Sequence, residues 1–241
     1  MTGNARRKID SYTQQMFDPE VDKPQHDQIL TTLFTHEDAV VKLITELNGL
    51  GPMCPISEIG EFEVKEWTGE SVRKVDLATA QELAGPSPQF KSMSPIRIKK
   101  KELEVIMNYT TDQERRYERL VGFIDMGVLY EVLRTPRLIS TKKDKYEWQV
   151  PRDARSLLIE VKSAWPTAGN LLRQLNLYYE SRPSGFHQRT ERQNLVVGPD
   201  DSMNALVNEH GYRLVTFDEA GKNFTLVPRV RTGAGKGTDL I

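Results

Sequence analysis

The chain has 241 residues, 38% hydrophobic and 28% charged, and its 33 lysines and arginines against 34 aspartates and glutamates give a formal net charge of −1. That balance predicts a buried core and excludes a disordered chain, a coiled coil and a protein that coats nucleic acid by bulk charge. Cys54 is the single cysteine, which excludes an internal disulfide, a cysteine-rich zinc site and a four-cysteine iron–sulfur cluster; no run reaches the ~18 apolar residues of a membrane helix and the opening MTGNARRKIDSYTQQ lacks a secretory apolar stretch, so a cytoplasmic protein without a membrane partner is expected.

Residues 1–26 mix charges with Pro19 and Pro24 and show no sustained period, which reads as a partly ordered arm before a single domain over 27–228. From Asp27 to Asn48 the apolar positions Ile29, Leu30, Leu33, Phe34, Val40, Val41, Ile44 and Leu47 follow a helical stripe, as one helix or as two with a break near Thr35. Alternation over Glu58–Thr68 predicts a strand, and Pro86, Pro88 and Pro95 mark a loop. Two apolar runs, Leu103–Tyr109 and Leu120–Leu133, read as strands, as does Leu157–Val161. A helix is predicted over Thr167–Ser181 from the spacing of Leu171, Leu172, Leu175, Tyr178 and Tyr179, followed by a strand at NLVVGP, a helix over Ser202–His210 and a strand at YRLVTF. This order of strands and helices indicates an α/β or α+β domain, and the Gly-rich residues 229–241 read as a tail. GAGKGT within that tail lacks the earlier glycine and the following helix of a phosphate loop, so it is not read as a nucleotide site. His187 and His210 have no partner at metal-binding spacing.

Side chains alternate along a strand, so Leu158, Glu160 and Lys162 share one face and two charges project together. Buried beside apolar neighbours, they must be paired, solvated or bound to a cation. Asp125 lies amid the second long apolar run with nothing local to neutralise it. If the two strands are adjacent, the carboxylates of Asp125 and Glu160 converge and repel unless one is protonated or a cation lies between them. Hard oxygen ligands of this kind suit Mg²⁺ or Mn²⁺, and a lysine two positions on can polarise a phosphate or orient a water. Gln174 and Tyr178, four apart, share a face of the following helix.

Gly122-Phe123-Ile124-Asp125, then Ile159-Glu160-Val161-Lys162, then Gln174-Leu175-Asn176-Leu177-Tyr178 resembles the PD-(D/E)xK nuclease superfamily, in its RecB-like branch with a Q-x-x-x-Y helix. The likeness covers about residues 120–180. It implies a restriction-endonuclease-like core, a mixed central β-sheet flanked by helices, and a Mg²⁺- or Mn²⁺-dependent deoxyribonuclease acting in DNA processing, repair, recombination or defence, as an exonuclease or structure-directed enzyme. By that likeness Asp125 and Glu160 are metal ligands, Lys162 the catalytic lysine, and Gln174 and Tyr178 residues of the active-site helix. Relatives place a Glu or His on an upstream helix; Glu37 is the expected third ligand, with His36 and Glu46 behind it. The usual proline before the first acid is replaced by Ile124. A site-specific restriction endonuclease, a junction resolvase, or an inactive nuclease fold that binds DNA or a partner protein are the alternative readings, and a homo-oligomer is compatible with each.

The segment between the two carboxylates is longer than a tight hairpin requires. Residues 134–155 hold seven basic residues (Arg134, Arg137, Lys142, Lys143, Lys145, Arg152, Arg155) and a local charge of +4, with Tyr146 and Trp148 among them. A basic hairpin beside the site is expected to bind DNA through Arg137, Lys142, Lys143 and Lys145, with Trp148 stacking on a base. The run Arg97–Lys101 is a second basic candidate.

Overall fold

A computed structural model describes residues 23–66, 72–87, 94–110, 118–142, 145–186, 191–218, 220 and 222–229. The helical stripe forms two helices, α1 (Lys23–Thr35) and α2 (Glu37–Leu47), separated at His36. A short 3₁₀ turn at Ile56–Glu58 leads to β1 (Phe62–Lys65), β2 (Val72–Val75) and α3 (Leu77–Ala84). Then come the long β3 (Ile96–Thr110) and β4 (Glu118–Leu133), the hairpin β5 (Arg137–Lys142) and β6 (Lys145–Gln149), β7 (Arg152–Val161) and α4 (Ala168–Glu180). The chain ends with β8 (Arg182–Pro183), β9 (Glu191–Gly198), α5 (Asn204–Glu209), β10 (Arg213–Phe217) and β11 (Phe224–Leu226). The structure is therefore mixed α/β, with two mixed sheets flanked by helices.

The larger sheet has seven strands in the order β11-β10-β9-β7-β4-β3-β8. The β3–β4–β7 series is antiparallel, whereas β7, β9 and β10 run parallel. Parallel neighbours need crossovers, and α4 and α5 supply them. Alternation along each strand separates two cores. Leu157, Ile159 and Val161 of β7 with Leu195 and Val197 of β9 pack under Ile29 and Leu33 of α1 and Val40, Leu43 and Ile44 of α2. The intervening Leu158 packs with Tyr178 of α4, and Val196 packs with Leu171 and Leu175 of the same helix. Thr167 caps α4 by accepting from Asn170 N, so this helix begins within one residue of its predicted start.

At the C-terminus of α2 a polar network ties the first core together. Tyr130, fully buried, donates to Gln193 Oε1 at 2.7 Å and accepts from Asn48 Nδ2 at 3.3 Å. Arg155 donates to Asn48 Oδ1 and lies 3.0 Å from Glu191 Oε2. Arg155 is thus an internal strut rather than part of a basic surface.

The smaller sheet, β2-β1-β5-β6, has a hydrophobic cluster of its own. Its cluster of Ile56, Phe62, Val64, Ala80 and Leu138 shares no member with the cores of the larger sheet. Strands β4 and β7 pair as far as Leu133 opposite Arg152. Just beyond, Pro136 and Pro151 lack the N–H that a continuing ladder needs, and the chain swings into the second sheet, where β5 pairs in parallel with β1. Trp148 is used here for packing: its ring meets Phe62 edge-on at 5.3 Å and its indole N–H donates to Gly85 O at 3.1 Å. That placement corrects the expectation of a base-stacking tryptophan. Trp148→Ala is expected to lower stability by about 2–3 kcal/mol, read as a drop in the thermal transition; an exposed stacking residue would leave it unmoved.

Other boundaries also shift. Helix α1 starts at Lys23, so His26 belongs to it rather than to an arm. Arg97–Lys101 lies within β3; Lys99 and Lys100 face Glu131 and Glu102 at 3.8 and 2.6 Å, and Lys101 donates to Phe34 O, so three of its four cations are engaged within the fold. Helix α3 and strand β11 were not foreseen. The end of the strand predicted over Glu58–Thr68, Lys143, His187 and the GAGKGT segment lie outside the described residues.

Candidate active site

Strands β4 and β7 are hydrogen-bonded neighbours, with Met126 opposite Ile159 as the rung nearest the two carboxylates. Just past that rung, Asp125 Oδ2 accepts from the backbone N–H of Val161 at 2.7 Å. The carboxylate of one strand thereby caps the end of the other and sits beside Glu160. Glu160 is 2% exposed, on the α4 face of β7 next to Leu158. Its Oε1 accepts from Lys162 Nζ at 2.8 Å and from Gln174 Nε2 at 2.7 Å. Its Oε2 is buried and has no hydrogen-bond partner among the described residues.

Helix α4 supplies the next layer. Gln174 Nε2 also lies 3.3 Å from Tyr178 OH, and Tyr178 donates to Phe123 O at 2.6 Å, anchoring the strand two residues before Asp125. Burial, with the Glu160 charge next in weight, pushes the Tyr178 hydroxyl well above the usual tyrosine range. It therefore remains a donor. For Glu160, burial and then the Asp125 charge push the carboxyl up to about 7, against the opposing pull of Lys162. When Glu160 is ionised, two carboxylates lie beside the Lys162 ammonium, with the His26 ring on the far side of Asp125.

Asp125, Glu160, Lys162, Gln174 and Tyr178 are thus brought together. Glu37 is not. It opens α2 in an exposed first turn, where its charge suits the helix dipole, and no bond joins it to Asp125 or Glu160. His36 precedes it at the N-cap with its ring near Thr35 Oγ1 and Thr32 O, and Glu46 pairs loosely with Lys42 at 3.9 Å. The helix that reaches the site is α1, through His26, which is 6% exposed with Nε2 3.5 Å from Asp125 Oδ1. Extending the Ile29–Leu33 stripe one turn backwards lands on His26, and that was the available signal.

No group of three or more His, Cys, Asp or Glu side chains stands in metal-holding geometry among the described residues. The donor chemistry nevertheless fits a hard divalent cation: two carboxylates, one with a buried unpartnered oxygen, suit an ion such as Mg²⁺ that keeps several waters.

The basic residues of the insertion are distributed differently from expectation. Arg134 pairs with Asp153 at 2.6 Å, Arg152 lies 3.6 Å from Glu131, and Arg137 donates to Gln149 at 2.9 Å. Lys142 and Lys145 remain exposed at the β5–β6 tip. The hairpin leaves the β4–β7 ladder at Leu133 and Arg152, the end opposite Asp125 and Glu160, so it does not flank the site.

After Lys162, whose N–H donates to Val197 O at 2.8 Å, the chain turns through Trp165 into α4. The Cζ2–Cη2 edge of Trp165 lies against Gly198, where an added Cβ would come to 2.2 Å from it, and the indole N–H donates to Asp200 Oδ1 at 2.9 Å. Gly198→Ala is expected to displace Trp165 and cost about 1–3 kcal/mol, measurable by denaturant titration. No known family, curated protein or solved structure matches this chain.

Proposed function

We propose that the chain is a Mg²⁺- or Mn²⁺-dependent deoxyribonuclease built on a restriction-endonuclease-like core, in the manner of the RecB-like PD-(D/E)xK nucleases. The observation that carries this reading is the meeting of Asp125 with Glu160 across adjacent strands, with Lys162 bonded to Glu160 and Gln174 bracing it from α4. An ion pair on a solvated strand would satisfy Glu160 from water. Here the carboxylate is buried, its second oxygen is unpartnered, and a second acid raises the cost of its ionisation.

Asp125 and Glu160 would hold the cation, with His26 beside Asp125. Such a cation supplies Lewis-acid stabilisation of the charge that builds on the phosphate. The chain's own groups do the rest. Lys162 places an ammonium where a phosphate oxygen or attacking water is oriented and its developing charge offset. Gln174 fixes the Glu160 rotamer, and Tyr178 fixes the strand carrying Asp125.

The test is incubation of the purified protein with linear, nicked, closed circular and single-stranded DNA, in Mg²⁺, in Mn²⁺ and in chelator. Cleavage only with the metals supports the reading, and the set of DNAs cut separates exonuclease from endonuclease. Absence of cleavage on every DNA would leave the binding-module alternative.

A further inference from the structure

The far end of the smaller sheet carries four exposed cations. Lys65 ends β1, Arg73 lies near the start of β2, and Lys142 and Lys145 face each other across the β5–β6 tip. Because β1 and β5 are parallel, with Lys65 opposite Ile139, their C-terminal ends share this edge. Among the described residues three acids stand nearby: Glu63 lies two residues before Lys65 on the same exposed face of β1, opposite Lys74. Glu66 is engaged by Tyr146 and Arg73, and Glu147 is opposite Ile139 on the rung of Lys65. Lys65, Lys142 and Lys145 form no ion pair among the described residues, whereas the arginines nearer the large sheet do.

Seven ladder steps, from Met126–Ile159 to Leu133–Arg152, lie between the carboxylates and the point where the hairpin departs. At about 3.4 Å per residue that is roughly 24 Å of strand. One phosphate cannot touch both places. The lysines lie beyond the point of departure, a further five residues along β5 from Arg137 to Lys142 or up to ~17 Å. A rod with regularly spaced negative charge can reach both, and a stiff duplex needs roughly 12 base pairs at ~3.4 Å each to do so.

We infer that the Lys65–Lys142–Lys145 edge is a second contact for the same duplex whose backbone enters the Asp125–Glu160 site, so that tight binding requires DNA long enough to reach both. This rests on the nuclease reading for the identity of the polymer. It predicts a steep dependence of affinity on duplex length, carried by these lysines through counterion release.

The experiment compares binding of labelled duplexes of about 8 and about 24 base pairs by the Asp125→Asn protein in Mg²⁺, with and without Lys65→Ala, Lys142→Ala and Lys145→Ala combined, across a salt series. The parent is expected to bind the longer duplex at least ~10-fold more tightly, and the triple substitution to bring that ratio near one and flatten the salt slope on the longer duplex by up to about 3. The lysines are exposed, so an unchanged thermal transition should accompany the change. A ratio near one in the parent, a ratio unaffected by the substitutions, or equal weakening on both duplexes would overturn the inference. If wild-type protein cuts DNA but the ratio does not depend on the lysines, the second contact falls and the nuclease reading stands. Lysine-dependent, length-dependent binding without cleavage by wild-type protein would keep the lysine edge as a duplex contact and remove the nuclease reading.

Discussion

Asp125→Asn and Lys162→Ala are each expected to reduce metal-dependent cleavage by at least ~10²–10³-fold while leaving the protein folded. The two variants differ in what they do to Glu160. Asparagine at 125 keeps an acceptor for Val161 N–H and removes the like charge that opposes ionisation of Glu160, so stability at neutral pH should hold or rise. Alanine at 162 removes the partner that favours the Glu160 charge, so stability should fall above neutral pH and remain close to wild type near pH 4. Circular dichroism melts at both pH values, run beside a cleavage assay, check the pair. Wild-type cleavage by folded Asp125→Asn protein would remove Asp125 from the site.

The stability of metal-free wild-type protein should decline as pH rises from about 4.5 to beyond 7. Glu160 has its folded-state value pushed up to about 7 from an ordinary 4.5, so in this window the folded state holds a proton that the unfolded chain has released. The contribution is fully present below 4.5 and is lost as pH passes through about 7, on the order of 3 kcal/mol for this group. Glu160→Gln, which keeps the shape and an acceptor oxygen for Lys162, should abolish that pH dependence and make the metal-free protein more stable than wild type at pH 8. Adding Mg²⁺ should restore wild-type stability at pH 8 by mass action and do little for Glu160→Gln. A flat wild-type profile between pH 5 and 8 would show that Glu160 is not held in this environment.

The motif-bearing strands and helix were legible because their signals are local. The carboxylates interrupt apolar runs that leave no doubt about the strands, and the period of α4 with its Thr167 cap gives its extent within a residue. Adjacency of β4 and β7 entered the sequence reading only as a condition for the two acids to converge, and the ladder between the strands meets it. The smaller sheet was not legible. Its central pair joins β1 to β5 across roughly 70 residues, and nothing in a four-residue strand announces a partner that distant. His26 was hidden by Pro24, which reads as a breaker but fits the first turn of a helix, where its missing N–H is not needed. The basic hairpin was legible as charge and misread as position, because a strand's two ends look alike until its register is known. Pro136 and Pro151 were the clue that the ladder stops before the hairpin begins.

That proline-marked junction also orders the folding reaction. The β3–β4–β7 series and the crossover through α4 close over shorter stretches of chain than the β1–β5 pair, whose closure must await a β5 presented at the end of the β4–β7 ladder. Val64 and Leu138, at the centre of the late pair, should therefore give low φ-values, and Ile159 and Met126 higher ones. The carboxylates, on the early strands, would be assembled while the smaller sheet is still open, and substitutions in that sheet should quicken unfolding with little effect on the rate at which the site forms.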